Sequence, residues 1–475
     1  MAETREDLIQ WLRHEHPDTV VGATVARLRA GVPIDELWAA GALTAARYVS
    51  NQARNLLGFV SHAMIGCEDA RQSAMGQPVE VQQLLLIQAL AQVVVDLHDP
   101  CFAPYELLDA WGLEEPTPEE GIEQLRTDVR FGEWLRADHR VVGLERQLDR
   151  DRLVDLLLDI GLEGMVTDDH TLITPALALD MMELTGWDEG FAMLRGTLRY
   201  SCTFPRDLAP YAKATALIEA HGLTGGIIAT GFDAALAARL RHELLALDPA
   251  DRPERVARAL ADEGASADTA TAAISLSACD LYLQVDPVDH DAFDAVSREV
   301  APIHIGTSMN IIRASLARMS PRTAVQAVVM GGCLLERGPS VLNDEFAFVP
   351  FAPSRSYPYA EDVEVLRGVA PEQLLKTLEV ALEDHDPRRS TAAVRAFELA
   401  GGDAREMIAA LTRIACTDDG TLMHNVKHLH AMVEEFHACT DPDRWHFLIA
   451  AARWISWYAG KNTGTHQQAM AALSG

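Results

Sequence analysis

The segment around residue 424 is the most histidine-rich part of the chain, and its residues have helical spacing. His424, His428 and Glu435 fall within about 40° of one another around a helix axis. Imidazoles one helical turn apart can share a divalent metal ion, and an imidazole also titrates near neutral pH, as a general acid or base must. The pattern predicts that His424 and His428 bind a metal or transfer protons, while Glu435 orients or completes the site.

A second polar group, His430, Glu434 and His437, lies on the other side of the apolar stripe of the same predicted helix. Glu434 and His437 have the E-x-x-H spacing that supplies half of a ferritin-like two-metal site. The sequence shows no second E-x-x-H helix to complete it. A simpler interpretation stays open for both groups, because a partly solvated core helix is commonly bordered by His and Glu.

Four stretches of the chain resemble one another at the start of a predicted helix. TDDHTL begins at Thr167, TDDGTL at Thr417, IGTSMNIIR at Ile305 and SNQARNLLGFV at Ser50. One position is polar in all four copies, where it is occupied by Asn51, Thr174, Asn310 and His424. If equivalent helices bring this position to a common centre, the protein has a polar pocket there.

The copy that begins at Ser50 adds candidate residues to that pocket. Asn55 follows Asn51 at the same four-residue spacing as the two leading histidines, and His62 aligns with Glu435. Polar residues that keep this register suggest a shared inward face. Ala178 and Ala314 occupy the second position in the other two copies, which weakens the pattern.

Two further histidines, His170 and His304, lie just ahead of the second and third motif helices. A side chain there can point across the N-terminus of the helix and contact a ligand, or it can serve as a capping residue. The preceding Asp168 and Asp169 are predicted to cap the helix, because their oxygens match the free N–H groups of its first turn.

The length and charge of the chain limit the classes of partner that it can bind. The chain has 475 residues, 48% of them hydrophobic, and a net charge of −30. This length allows a large interior divided into more than one lobe. The acidic charge and the lack of a Lys/Arg stripe disfavour nucleic acid and anionic membranes as partners. We therefore expect a small-molecule substrate.

Cysteine usage and apolar runs indicate a cytoplasmic protein. The seven cysteines are scattered and have no C-x-x-C spacing, as is typical of reduced thiols. The N-terminal residues lack the basic and apolar segments of a secretion signal. The most apolar run, LLLIQALAQVVV from Leu84, is shorter than the roughly 20 residues that span a bilayer. It predicts a core helix.

Apolar residues recur at three- and four-residue spacing along most of the chain. The sequence therefore predicts an all-α protein, a multi-helix assembly of divergent internal helical repeats with no significant sheet. Helices are expected to begin at Thr117 and Asp441, each before a proline, and to end at Gly338. Residues 1–335 would hold three motif copies, residues 336–360 an irregular loop rich in proline and aromatics, and residues 361–475 the histidine-rich copy. Because copies lie on both sides of the loop, we expect one continuous assembly.

The segment LMHNVKHLHAM from Leu422 and the motif helix from Asn51 resemble the questin oxidase family of bacterial and fungal secondary-metabolism enzymes. That family is associated with NADPH-dependent oxidation of polyketide quinones, including Baeyer–Villiger type ring opening. The resemblance implies an oxygenase whose pocket is lined by residues such as His424, His428 and Asn51, with NADPH or a non-haem metal such as iron as cofactor. The sequence itself has no nicotinamide or flavin motif.

The leading hypothesis is a cytoplasmic oxidoreductase of the oxygenase type that acts on a small aromatic or polyketide-like molecule, with or without a metal. The alternative is a non-catalytic helical-array protein that binds a small ligand or a protein partner. In the first hypothesis the catalytic residues are His424, His428, Glu435 and His62, and a metal would bind His424 and His428. The substrate-binding residues would be Asn51, Asn55, Thr174, Asn310, His170 and His304.

Overall fold

The computed structural model describes residues 3–50, 61–203, 206–227, 229–284, 295–344, 355–417, 421, 423–460 and 464–475. These residues form 22 α-helices and four short 3-10 turns, and none of them lies in a strand. The predicted all-α, multi-helix fold is therefore confirmed.

The first nine helices are α1 Arg5–His14, α2 Val20–Arg29, α3 Ile34–Tyr48, α4 Ala63–Ala74, α5 Val79–His98, α6 Pro118–Arg130, α7 Trp134–Gln147, α8 Arg150–Gly164 and α9 His170–Thr203. The others are α10 Ala209–Ala220, α11 Ala234–Ala246, α12 Arg252–Asp262, α13 Ala267–Leu283, α14 Ala295–Ser315, α15 Pro321–Asp344, α16 Ala360–Val365, α17 Pro371–Glu383, α18 Pro387–Leu399, α19 Ala404–Ala415, α20 His424–Ala438, α21 Trp445–Tyr458 and α22 Gly464–Ser474. The 3-10 turns are Leu223–Gly225, Pro249–Asp251, Leu316–Arg318 and Pro442–Arg444.

The chain forms two compact units. Unit 1 comprises Met1–Asp207 and Asn462–Gly475, and unit 2 comprises Leu208–Lys461. This division differs from the boundaries predicted at residues 335 and 360, because composition along the chain does not reveal which helices pack together. The expectation of one continuous assembly stays a prediction.

Helix α15 extends further than the sequence predicts. It continues through Gly338 to Asp344, so the predicted helix end is wrong and the first part of the predicted 336–360 loop is helical. The preference of glycine for helix ends is weak enough for other interactions to override it. Residues 345–354 lie outside the described part of the chain.

Helix α5 is the core helix predicted from the apolar run at Leu84. Among the described helices it alone is long and apolar enough to cross a membrane, but 61% of its most apolar window is buried inside the protein. Gln88 and Asp96 are buried along it as well. Helix α5 therefore belongs to the interior of unit 1.

The start of helix α4 is anchored to α5. The hydroxyl of Ser61 donates a hydrogen bond to Asp96 Oδ2 over 2.5 Å and accepts one from the backbone N–H of Ala63 over 3.2 Å. These bonds fix the backbone on both sides of His62, which is the residue immediately before α4.

Helix α9 packs against α4 and begins as predicted, with an aspartate cap. Asp168 Oδ1 accepts the backbone N–H of His170 over 2.9 Å. The helix bends at Gly186, where φ is 72°, and a second helical stretch follows. The bend makes α9 two successive helices, a counterpart to α20 and α21 in unit 2.

In unit 2, helices α14 and α20 pack against each other, with α13, α15 and α21 around them. Large apolar side chains of α20 and α21, including Met432, Phe436, Phe447 and Trp454, form the core beside this helix pair. The packing holds α14 and α20 side by side, so polar residues on their facing sides are enclosed.

Candidate functional site

His304 on α14 and His424 at the start of α20 face each other in unit 2. Their Nε2 atoms are 3.3 Å apart, and their ring planes are inclined by 30°. His304 is 6% exposed and His424 is 5% exposed. The structure thus joins two of the predicted site residues as one pair of buried imidazoles.

The start of α20 fixes the orientation of His424. Its Nδ1 lies 2.6 Å from the backbone oxygen of Thr421. Because a carbonyl oxygen can only accept, Nδ1 carries a proton, and in the neutral ring Nε2 holds the lone pair. The preceding residue, Met423, has φ of 68°, a conformation that costs a non-glycine residue on the order of 1–3 kcal/mol and is concentrated at functional sites.

Lys427 joins this pair of histidines. Its Nζ lies 3.2 Å from His304 Nε2, and the side chain is only 2% exposed. An ammonium group only donates, whereas Nε2 of neutral His424 only accepts, so His304 Nε2 lies between a donor and an acceptor. We call His304, His424 and Lys427 the His–Lys cluster.

Sequence analysis missed Lys427 as a site residue, although a signal was present. Lys427 is three residues after His424 on the same helix, and Ala431 follows it by one turn. A lysine among such residues is a candidate for burial, and a buried lysine is rarely without a partner or a role.

Asn310 and Glu435 meet each other, but away from the His–Lys cluster. Asn310 Nδ2 donates to Glu434 over 2.6 Å and to Glu435 over 3.2 Å, and Arg313 Nε donates to Glu435 over 2.5 Å. Glu435 is eleven residues after His424 on the same helix, a rise of about 16 Å. The Glu435 carboxylate therefore pairs with Arg313 and lies far from the histidine that it was predicted to assist.

His428 is buried in apolar surroundings. Its ring centroid is 5.7 Å from that of Tyr282 and 6.1 Å from that of Trp454. Burial lowers the pKa of His428 to about 3. A hydrogen bond with the Ala450 backbone opposes this effect, and the positive charges of Arg453 and Lys427 lower the pKa by smaller amounts. The ring is therefore neutral at physiological pH.

A small cavity adjoins His428. It is lined by Ala278, Cys279, Tyr282, Ile303, Gly306, His428, Met432 and Ala450. The space open to the centre of a water molecule is about 10 Å³, enough for about one water molecule and too little for an aromatic ring. Among the described residues, no group of three potential metal ligands contains both His424 and His428. The metal pair predicted on α20 stays a prediction.

Unit 1 contains a second pair of buried imidazoles, His62 and His170, in which the two Nε2 atoms are 3.2 Å apart. His170 Nδ1 lies 2.8 Å from Asp168 Oδ1 and 3.5 Å from Asp169 Oδ1. The hydroxyl of Tyr200 donates to Asp168 Oδ2 over 2.5 Å. We call these five residues the His–Asp cluster.

Asp168 is held in its charged form. Burial by itself raises the pKa of this carboxyl group, but the charge and hydrogen bonds of His170 and the hydroxyl of Tyr200 outweigh burial, so the pKa lies below its usual range. The contacts form a continuous chain from Tyr200 through Asp168 and His170 to His62.

The remaining predicted residues have other surroundings. The hydroxyl of Thr174 donates to the backbone oxygen of His170 over 2.7 Å, which is a bond within α9. Asn51 and Asn55 lie outside the described residues. Thr174 therefore turns its only donor to its own helix, and the common polar pocket stays a prediction.

The two units repeat one arrangement, in which α4 packs with α9 and α14 packs with α20. In both units, an arginine follows the first histidine by nine residues: Arg71 after His62 and Arg313 after His304. Arg71 pairs with Glu68 of its own helix at 2.6 Å, whereas Arg313 pairs with Glu435 of the neighbouring helix. Sequence comparison aligned α14 with α20 as copies, and the structure packs these two helices against each other.

The chain was compared with protein-family models, with curated proteins and with solved structures, and none of them matches it. What the two clusters can do therefore follows from their own residues. Buried imidazoles can transfer protons or bind metal ions, a buried ammonium stabilises an anion, and buried carboxylates favour a cation.

Proposed function

We propose that this protein is a cytoplasmic oxidoreductase of the oxygenase type, which acts on a small aromatic or polyketide-like molecule at the His–Lys cluster. The observation that carries the proposal is the approach of Lys427 Nζ and His424 Nε2 to within 3.2–3.3 Å of the same atom, His304 Nε2. The reaction class comes from the resemblance of the α20 segment to questin oxidases.

The chemistry of the cluster supports this proposal. His424 Nε2 would accept the proton of a phenolic or enolic hydroxyl, because Thr421 holds the ring proton on Nδ1. The ammonium of Lys427 would stabilise the resulting oxyanion, which a buried positive charge does far better than a solvated one. The electron-rich anion is the form of such a molecule that reacts most readily with an oxidant.

Cysteine chemistry supports the cytoplasmic location. No disulfide joins any of the seven cysteines, and six of them are buried. Burial raises the pKa of Cys202 and of Cys416 to about 12, so both thiols stay protonated and unreactive. Unpaired thiols are typical of a reducing compartment.

The proposal is tested by measuring oxygen consumption with a panel of hydroxylated anthraquinones, in the presence and absence of NADPH. We expect turnover by the wild-type protein and a loss of at least about 100-fold in Lys427→Met and His424→Gln, because each removes a group that acts on the reacting oxygen. His437→Gln is the matched control, since His437 is exposed on the same helix, and it should keep the wild-type rate.

Two outcomes would count against the proposal. Binding of a quinone without oxygen consumption or product would favour the non-catalytic helical-array protein. Equal turnover by the wild-type protein and both cluster variants would place the chemistry elsewhere in the molecule.

A further inference from the structure

The imidazole pairs of the two units differ in the charges beside them. Lys427 lies three residues after His424, whereas the residue three positions after His170 is the apolar Ile173. Two buried or nearly buried carboxylates, Asp168 and Asp169, flank His170 instead. Among the described residues, the pair in unit 1 is thus the one flanked by carboxylates, which suit a cation.

We infer that His62 and His170 are two ligands of a divalent transition-metal site in unit 1, bound through their Nε2 atoms. Imidazole nitrogen suits zinc, iron, copper and nickel. The inference goes beyond the proposed function, because it names a metal-binding site and does not depend on the reaction.

The distance between the two nitrogens fits a shared metal ion. Two imidazole nitrogens bound at 2.0–2.1 Å with a tetrahedral angle between them are about 3.3 Å apart. His62 Nε2 and His170 Nε2 are 3.2 Å apart, and the rings meet nearly edge to face, at 84°. Both atoms can therefore bind one ion with little rearrangement.

The contacts of His170 on its other nitrogen also fit. Its Nδ1 is 2.8 Å from Asp168 Oδ1, so a proton on Nδ1 is shared with the carboxylate and Nε2 is left with its lone pair. A carboxylate on the far nitrogen is the usual partner of a metal-binding histidine, since it fixes the ring and makes the ligand more basic. Tyr200 holds Asp168 in place from its other oxygen.

Full-length protein is stripped with a chelator and titrated with Co²⁺, which reports imidazole coordination by its visible absorption. We expect the wild-type protein to bind Co²⁺ in this cluster, and His62→Ala and His170→Ala to bind at least 100-fold more weakly. Asp168→Asn should weaken binding by about 10- to 100-fold, because it removes only the orienting carboxylate. The exposed His437→Ala is the control and should bind like the wild type.

Thermal melting identifies any variant that fails to fold, and His170→Gln then replaces the alanine variant. No Co²⁺ or Zn²⁺ binding by the wild-type protein would overturn the inference, as would wild-type affinity in folded His62 and His170 variants. Lys427→Met, which should abolish oxidation, is expected to leave Co²⁺ binding unchanged. The metal site and the proposed reaction can therefore fail separately.

Discussion

Arg313 Nε donates to Glu435 Oε1 over 2.5 Å, and this ion pair joins α14 to α20 in unit 2. The Glu435 side chain is 1% exposed and that of Arg313 is 20% exposed. Burial by itself lowers the pKa of the Arg313 guanidinium. The carboxylates of Glu435 and Glu434 together have a larger effect, so the pKa is raised above its usual value. The pair therefore keeps Arg313 charged in a largely dry interface.

Loss of the Glu435 charge should destabilise this interface. Glu435→Gln leaves a mostly buried guanidinium with only the partly exposed Glu434 as a charged partner, 3.5 Å away. We expect the free energy of unfolding to fall by about 2–3 kcal/mol, measured by urea denaturation. Glu434→Gln is the neighbouring control and should cost less than about 1 kcal/mol. Equal losses in the two variants would contradict the assignment of Glu435 as the main partner.

His428 should make unfolding pH-dependent below neutrality. Its folded-state pKa of about 3 lies below the ordinary value of 6.5, so acid protonates this histidine in the unfolded chain before it does so in the folded protein. Stability therefore decreases as the pH is lowered. Between pH 7 and pH 5, we expect the wild-type protein to lose about 2 kcal/mol of unfolding free energy relative to His428→Leu. The control His437→Leu alters an exposed ring of the same helix and should show no such difference. If the free energy of unfolding depends on pH in the same way in the wild type and in His428→Leu, the His428 ring is not buried as a neutral group.

Asp96 should contribute the opposite pH dependence. Burial raises the pKa of this carboxyl group to about 6, against the hydrogen bonds from Ser61 and Gln92 that lower it. Its neutral form is favoured in the folded protein, so stability is greatest at low pH and is lost as the pH rises through 6. From pH 4.5 to pH 7.5, the wild-type protein should lose about 2 kcal/mol relative to Asp96→Asn.

Glu80→Gln, an exposed change on the same helix, is the control for Asp96 and should follow the wild-type profile. If Asp96→Asn also follows the wild-type profile, the Asp96 carboxyl group titrates normally.

The bend in α9 should depend on glycine. Gly186 has φ of 72° and ψ of 172°, a region essentially restricted to glycine, although a Cβ there would meet no atom within 4 Å. Gly186→Ala should therefore cost about 2 kcal/mol through the backbone alone. Gly22→Ala, at an exposed position in the first turn of α2, should instead stabilise by up to about 0.5–1 kcal/mol. Thermal and urea unfolding of both variants test this, and a neutral Gly186→Ala would show that the bend is not strained for alanine.

The sequence by itself determined the helical class, one core helix and several helix starts. The apolar run from Leu84 identified α5, and Thr117 and Asp441 accept backbone N–H bonds at the starts of the segments that they were predicted to cap. These features are local, because helical periodicity and capping depend on residues within a few positions of one another. The histidine-rich α20 was visible for the same reason.

Only the tertiary structure decided which polar residues meet. His424 contacts His304, 120 positions away, and Glu435 contacts Arg313, 122 positions away. A helical wheel showed His424, His428 and Glu435 on one side of α20, but it gave neither the neighbouring helix nor the distance along the axis. Contacts between distant segments depend on how whole helices pack, and the spacing of residues within one helix carries no information about its partner.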